Sequence, residues 1–427
     1  MANRRSRSCS CSTIASALSA TCAPPSRNFA LQAAAAVRRG PEMFVTEKAA
    51  IAAALSIAND AVNNGAKIPV LTHVLFDRDG DRMTVTGTNL DQEISASFAA
   101  EIARDFEPFA CPAKLLVSIV KNIADGFNVT IDAVYSGGKL SDIRITSGKF
   151  RTKLPVLPAR DFPAMPSGDL PHQLSLSADH FLKALKTVSF AAETNEQRYA
   201  LCGVRLDPEK DGLVVVASDG NRLARRTLSA LEFDQDLYGV PGVTIPNAAV
   251  SAIARILDKK EDVTIDLSED RIRVATDGAV VTSKLVDGHF LPYKPLMPHP
   301  DSLRVIISAQ ALSSALARVL TVSPDKMSGV VFDFSEGKLV LHSSDDSHGE
   351  ADDEIAAVCP GEICQGYNGR HIIAALEHLD RDEVEIVVGA GKVPAYIRPV
   401  GDDRTIMMAG VVRMRGTSAA LLEGEAA

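Results

Sequence analysis

Residues 198–226 read RYALCGVRLDPEKDGLVVVASDGNRLARR, two alternating apolar runs joined by an acidic turn that contains a glycine. Apolar runs bounded by such a turn are the signature of a β-hairpin. The second run ends on Ser218-Asp219-Gly220-Asn221-Arg222-Leu223, a tight corner that throws one cationic and one apolar side chain outward. Acidic or glycine turns stand at Asp79-Gly80-Asp81, Lys210-Asp211-Gly212 and Ser335-Glu336-Gly337, at similar separations along the chain. A pattern that recurs at a fixed period decides the architecture before any single element does.

An amphipathic helix is predicted ahead of each hairpin. Its apolar stripe is Ile51, Ala54, Leu55, Ala58 and Val62 in 46–63, Phe181, Leu185, Val188 and Ala191 in 177–194, and Leu312, Ala315, Leu316 and Val319 in 308–321. That spacing buries one face of a helix. A second helix follows each hairpin, at 112–124, 246–259 and 368–379. Pro112 and Pro246 open the first two, where a missing N–H costs nothing. A further strand pair closes each unit: 129–132 with 143–146, 263–266 with 272–275, and 384–388 with 395–398. The chain thus reads as three copies of one α+β unit, at 43–167, 168–300 and 301–416, each the size of an ordinary domain. Each copy sets two helices against antiparallel sheets, and proline-rich connectors at 163–171 and 292–300 join the copies.

Composition bounds the function. With 46% hydrophobic and 23% charged residues the 427-residue chain is an ordinary globular protein. No apolar run approaches the ~20 residues that span a bilayer. A net charge of −9 argues against coating nucleic acid with the whole surface, though not against a basic patch on one face. Seven cysteines without a CxxC pair read as reduced thiols in a cytoplasmic protein. Residues 1–42 are rich in Arg, Ser and Ala, with no acid before Glu42, a transit-peptide-like composition. They are read as a disordered or mis-called extension ahead of Met43, outside the fold, as is a 417–427 tail.

Chemistry-bearing motifs are missing: no GxxxxGK[ST], GxGxxG after a strand, HExxH or GxSxG occurs. His342 and His348 flank Ser343-Ser344-Asp345-Asp346, read as a hydrated acidic loop and not a metal site. Catalysis is not supported, and no cofactor or metal is expected. What the helices carry opposite their stripes is basic and small. Lys114 and Lys121 lie on a helix of the first copy, and Lys183, Lys186 and Arg255 on helices of the second. Several such faces in an acidic chain point to one lightly basic surface that meets phosphates without reading bases.

Four stretches resemble the bacterial sliding clamp family, the beta subunit of DNA polymerase III. They are Leu154-Pro155-Val156-Leu157-Pro158-Ala159-Arg160-Asp161-Phe162-Pro163, Arg198-Tyr199-Ala200-Leu201-Cys202-Gly203, Ala217-Ser218-Asp219-Gly220-Asn221-Arg222-Leu223, and Thr282-Ser283-Lys284-Leu285-Val286-Asp287-Gly288-His289-Phe290. The resemblance covers about residues 43–412. It implies three DNA-clamp domains and a head-to-tail homodimer closed into a ring around double-stranded DNA, helices inside and strands outside. It also implies a cleft between the second and third domains for peptides of the polymerase III catalytic subunit, the clamp loader and other clamp-motif proteins. Carried over by position, that cleft holds Leu201, Ser218, Gly220, Arg222, Leu223, Leu296 and Met408, an apolar pocket with a guanidinium at its rim. The DNA side holds Lys114, Asn195, Arg198 and Tyr199, with Lys67 near a loop where the family often places an Arg.

Departures from the family are also legible. The proline after Phe290 is displaced to Pro292, and the Met-Pro-Met-Arg-like ending that walls the cleft reads Met407-Met408-Ala409-Gly410-Val411-Val412. The sister turns read Gly87-Thr88-Asn89-Leu90 and Ser343-Ser344-Asp345-Asp346, without the Asp219–Leu223 corner, which narrows the expected site to Leu201 and that corner. Two readings of function follow: a loaded processivity clamp, or a clamp-fold paralogue that binds partners as a regulator without being loaded. An enzyme on a repeated scaffold is a third class, which the missing motifs disfavour.

Overall fold

A computed structural model describes residues 42–412, apart from 167, 234–236, 299–301, 324–328, 346, 390 and 392. The expected N-terminal extension, up to residue 41, and the 417–427 tail lie outside the described residues. Among the described residues six helices occur in three pairs, α1 Lys48–Ala58 with α2 Ala113–Asn122, α3 Ala178–Val188 with α4 Asn247–Leu257, and α5 Ala309–Val319 with α6 Gly369–Glu377. The first of each pair is shorter than its apolar pattern, because its end tightens into a 3-10 turn, at Asn59–Ala61, Ser189–Ala191 and Leu320–Val322. Pro112 and Pro246 are N-caps, each the last residue of a strand that runs into its helix. Asn368 takes that position in the third copy and accepts hydrogen bonds from the backbone N–H of Arg370 and His371.

The predicted stripes are buried at Ile51, Ala54, Leu55 and Ala58 in α1, Phe181, Leu185 and Val188 in α3 with Ala191 just after it, and Leu312, Ala315, Leu316 and Val319 in α5, whereas Val62, beyond the end of α1, is half-buried. Each large side chain so placed stabilises the fold by about 1.5–3 kcal/mol relative to exposure. In the first copy the helices and both of its sheets close over one core that includes Phe44, Phe76 and Phe109.

The sheets do not stop at the copy boundaries. Strand Gln92–Ala99 of the first copy pairs antiparallel with Ala279–Lys284 of the second, and Arg222–Ser229 of the second pairs with Thr405–Ala409 of the third. The results are a nine-stranded and an eight-stranded sheet, each spanning a boundary, flanked by a five-stranded sheet in the first copy and a four-stranded sheet in the third. Register makes the repeat exact enough to count. The hairpins turn at Asp79/Arg82, Glu209/Gly212 and Ser335/Lys338. Counting from these through the next pairing puts Glu93, Leu223 and Glu350 at one repeat position. Across the boundaries Glu93 faces Thr282 and Leu223 faces Met408.

Gly212–Ser218 was expected to alternate in exposure, but the whole strand is buried. Leu213, Val215 and Ala217 face the helices, while Val214 and Val216 join a separate apolar cluster on the other face. A strand covered on both sides must be apolar at every position, which its Leu-Val-Val-Val-Ala run satisfies.

Candidate functional site

The corner at 218–223 is built by local hydrogen bonds. Ser218 Oγ donates to the Arg222 carbonyl and accepts from Gly220 N, and Asp219 Oδ1 accepts from the N–H of Asn221 and Arg222. The corner is not unique in its backbone, contrary to the sequence expectation. In the first copy Thr88 Oγ1 donates to the Gln92 carbonyl and accepts from Leu90 N, and Asn89 Oδ1 accepts from Asp91 and Gln92 N. Leu90 there sits at φ 77°, where Gly220 has φ 85°. Backbone hydrogen bonding was shared and only the side chains differ, so letter-by-letter comparison missed it.

Gly220 serves a second purpose. A Cβ at this position would lie 2.3 Å from Arg198 Nη2. Arg198 Nη1 donates to Glu193 Oε2 at 3.0 Å and to the Asp219 carbonyl, tying the 3-10 segment Glu196–Leu201 to the corner. Gly220→Ala is therefore expected to cost about 1–2 kcal/mol from the left-handed backbone alone, and to eject Arg198. A lower urea midpoint with unchanged m-value checks this; an unchanged midpoint refutes it.

Of the seven cleft residues, Leu223, Leu296 and Met408 come together. Leu223 and Met408 face one another across the second boundary, and both belong to an apolar cluster with Val214, Val216, Tyr293, Val387, Tyr396 and Ile406. Leu296 packs half-buried against it, with Phe290, Met297 and Val393. Arg222 is not brought to this pocket. It lies on the helix side of the sheet, its guanidinium 5.5 Å from the Phe190 ring and its Nε donating to Asp219 Oδ2 at 2.9 Å. Successive side chains of a strand point to opposite faces, so Arg222 and Leu223 cannot share one. Ser218 is buried in the corner's hydrogen bonds, Gly220 is exposed beside Arg198, and Leu201 lies in the Glu196–Leu201 segment outside the cluster.

Tyr293, Tyr396, Val214, Val216, Val387 and Ile406 were missed by sequence. The signal available was the strand period, since Val214 and Val216 alternate with helix-facing residues. Tyr396 is recognisable only through its pairing with Met408. The changed ending still contributes a wall: Met408 is there, and Gly410 N continues the sheet by donating to the Asn221 carbonyl.

The basic residues are distributed over the helices. Lys114 and Lys121 on α2 and Lys183 and Lys186 on α3 are exposed, as is Lys67 in the loop before Pro69–Thr72. Lys67, Lys114, Lys121 and Lys186 have no ion-pair partner among the described residues, whereas Lys183 Nζ lies 3.6 Å from Asp380 Oδ2. Arg255 on α4 is bound to Asp60 and Ser56 of the first copy, bracing the first boundary. Asn195 caps the 3-10 segment by accepting from Gln197 N, and Tyr199 stays exposed. His371, half-buried and beside Arg222, has its pKa lowered by burial first and that charge second, which favours the neutral ring. His342 and His348 contact different carboxylates, Asp352 and Asp345, and no metal-holding group of three or more His, Cys, Asp or Glu exists among the described residues. No helix among them is long and apolar enough to cross a membrane.

This arrangement of domains and cleft has known relatives. Residues 43–166, 175–292 and 294–409 match, in order, the N-terminal, central and C-terminal domains of the DNA polymerase III beta subunit. The chain belongs to the DNA polymerase III beta subunit family. Among its relatives, the beta sliding clamp of Caulobacter vibrioides strain NA1000 is 30% identical over 333 residues, covering 77% of this chain and 88% of that one. That of Pseudomonas putida strain KT2440 is 27% identical over 362 residues, covering 84% and 96%. In structure the chain is similar to a sliding clamp, DNA polymerase III subunit beta, from Bartonella birtlesii bound to griselimycin: TM-score 0.81, 30% identity, 87% of this chain and 100% of that one. The clamp from Pseudomonas aeruginosa bound to griselimycin gives TM-score 0.81 and 26% identity, covering 88% and 100%. Membership in the beta subunit family accounts for the three-copy architecture.

Proposed function

We propose that this chain is a DNA sliding clamp: two copies join head to tail into a ring that encircles duplex DNA and tethers the replicative polymerase and other partners. The observation that carries the reading is the pattern of boundary pairings. The third strand of each copy's hairpin region pairs with the closing strand of the next copy, twice within the chain. Continued once more, the rule sends strand Gly349–Ala356 of the third copy to strand Phe150–Pro155 of the first, and both are sheet edges. Within one chain these edges have no mutual pairing, so a second chain supplies the partner, and closure follows from symmetry.

Register supplies the pairs. Phe150 and Ala279 start equivalent strands after two-residue turns, so Lys153 corresponds to Thr282 and Arg151 to Val280. Thr282 faces Glu93 and Val280 faces Ser95, whose third-copy counterparts are Glu350 and Asp352. Lys153 thus meets Glu350 of the second copy, and Arg151 meets its Asp352, opposite charges on the same face. Beside the basic strand lies an apolar hollow of about 450 Å³ lined by Ile119, Ile123, Phe127 and Phe150. Phe127 and Phe150 are each nearly half exposed in the single chain, as an unmade contact requires.

The same reading makes the protein a non-catalytic processivity factor working in the cytoplasm, without a cofactor. The unpaired Lys114, Lys121 and Lys186 meet phosphates loosely while topology keeps the ring on DNA. Partners, including the polymerase III catalytic subunit, the clamp loader and other clamp-motif proteins, dock a Leu or Phe anchor at the Leu223–Met408 pocket. The test is retention on circular DNA after loading: bound protein survives salt and leaves on linearisation. Equal retention on both forms would sink the clamp reading, and dimerisation without loading would select the regulator. Replacing Lys114, Lys121 and Lys186 by Ala is expected to lower the slope of log K against log salt by about 0.9 for each lost phosphate contact, with the dimer intact. Arg198 is left out of this test because it holds the corner.

A further inference from the structure

We infer that the connector segment 290–297 is a strap fastened over the peptide pocket, and that partner binding requires its release; this rests on the pocket reading proposed above. The pocket's own anchors are covered in the single chain. Leu223 is 1% exposed and Met408 8%, with Tyr396 at 4%. An incoming Leu or Phe side chain therefore finds no vacancy unless something above the pocket moves. What lies above is the connector, whose Phe290, Leu296 and Met297 pack half-buried on the cluster.

Three fasteners hold it. The Tyr293 hydroxyl donates to Asp207 Oδ2 at 2.9 Å, with Glu209 Oε1 at 3.4 Å. Lys294 Nζ lies 3.1 Å from Glu209 Oε1 and 3.6 Å from Asp207 Oδ2. Tyr396 donates from its hydroxyl to the Leu296 carbonyl. Asp207 and Glu209 are in turn faced by Arg205 and Arg225, so the acidic pair keeps a fixed place on strand Gly203–Glu209 when the strap leaves. The fasteners are polar and half exposed at Lys294, strong enough to close the strap and weak enough to open at modest cost.

The first boundary shows that scaffold alone does not demand this. There the connector at 163–171 crosses the equivalent outer face. Its attachments are Met165 N to Glu93 and Arg271 to the Pro166 carbonyl. Asp77 and Asp79, at the repeat positions of Asp207 and Glu209, make no side-chain hydrogen bond or ion pair with that connector among the described residues. A polar cavity of about 830 Å³, with Thr84, Glu93, Arg273 and Thr282 in its lining, stays open beneath it. The repeat positions of those residues at the second boundary are Val214, Leu223, Tyr396 and Met408. Apolar lining and a fastened strap therefore occur together, at the boundary proposed to bind peptides and not at its sister.

The experiment compares the full chain with Tyr293→Phe and with Lys294→Ala, using a fluorescein-labelled synthetic peptide that ends in Leu-Phe. Freeing the strap raises the fraction of open pocket, so each variant is expected to bind about threefold tighter and the pair together about tenfold, through a faster on-rate. A merely structural role for Tyr293 predicts the opposite sign. Unchanged or weaker binding in the double variant, with the peptide still sensitive to Leu223→Ala, overturns the strap while leaving the pocket intact. Binding that ignores Leu223→Ala removes the pocket reading instead. Amide hydrogen exchange across 290–297 decides the strap in that event and without any ligand: about tenfold faster exchange in the double variant supports it, and unchanged exchange overturns it.

Discussion

Replacing Arg151 and Lys153 by Glu is expected to convert the protein from dimer to monomer at micromolar concentration. The substitutions put like charges directly opposite Asp352 and Glu350 of the second copy. Cross-strand pairs of this kind are worth about 0.2–1 kcal/mol each when opposite, and like charges are destabilising. Two pairs change sign at each of the two seams of a ring, so the combined loss is about 4 kcal/mol, or about a thousandfold in the dimer dissociation constant. Restoring the opposition with Glu350→Arg and Asp352→Lys on the same chain should recover the dimer. Sedimentation velocity measures both. A dimer that persists in the first variant, or a second that fails to recover, would mean the register counted from the repeats is wrong. Arg151 and Lys153 are exposed, so the fold of the single chain should hold. Lys153 also lies 2.9 Å from Asp142 Oδ2, a surface pair worth little by itself.

The second large effect is expected at the pocket. Leu223→Ala with Met408→Ala removes two facing walls of the cluster, and affinity for a Leu/Phe-containing partner peptide should fall by about 2–3 kcal/mol, or about 30- to 160-fold. The same substitutions open a cavity in a buried cluster, at about 2–5 kcal/mol for a Leu→Ala change. Fluorescence polarisation should therefore be read beside a urea melt and a mass measurement, taken where the variant is still folded and dimeric. Unchanged affinity under those conditions would place the binding site elsewhere, away from the 407–412 segment that stands where the family ending does.

Much of this was legible in the sequence because the information is local and repeated. Helix stripes need only a period, and the three stripes were buried where the spacing put them. The corner was legible as a turn, but its kinship with Thr88–Gln92 was not, since hydrogen bonds to main-chain atoms leave weak traces in side-chain identity. Arg222 was carried over with Leu223 from the family's cleft by position, while the strand pleat sends these two neighbours to opposite sides of the sheet. Arg198, expected on the DNA side, also donates to Glu193 and to the Asp219 carbonyl, a tie between segments 21 residues apart that the sequence did not suggest.

Sequence by itself determined the three copies and their α+β content, because hydrophobic period and turn chemistry act within a few residues, while the clamp family showed in the resemblance of four stretches. Tertiary structure decided which strands cross the copy boundaries, which edges are left for a second chain, and that Tyr293 and Tyr396 close over Leu223 and Met408. Those outcomes depend on register between strands up to about 190 residues apart, as for Glu93 with Thr282. A shift of one residue would turn every inward side chain out, and no local pattern records it.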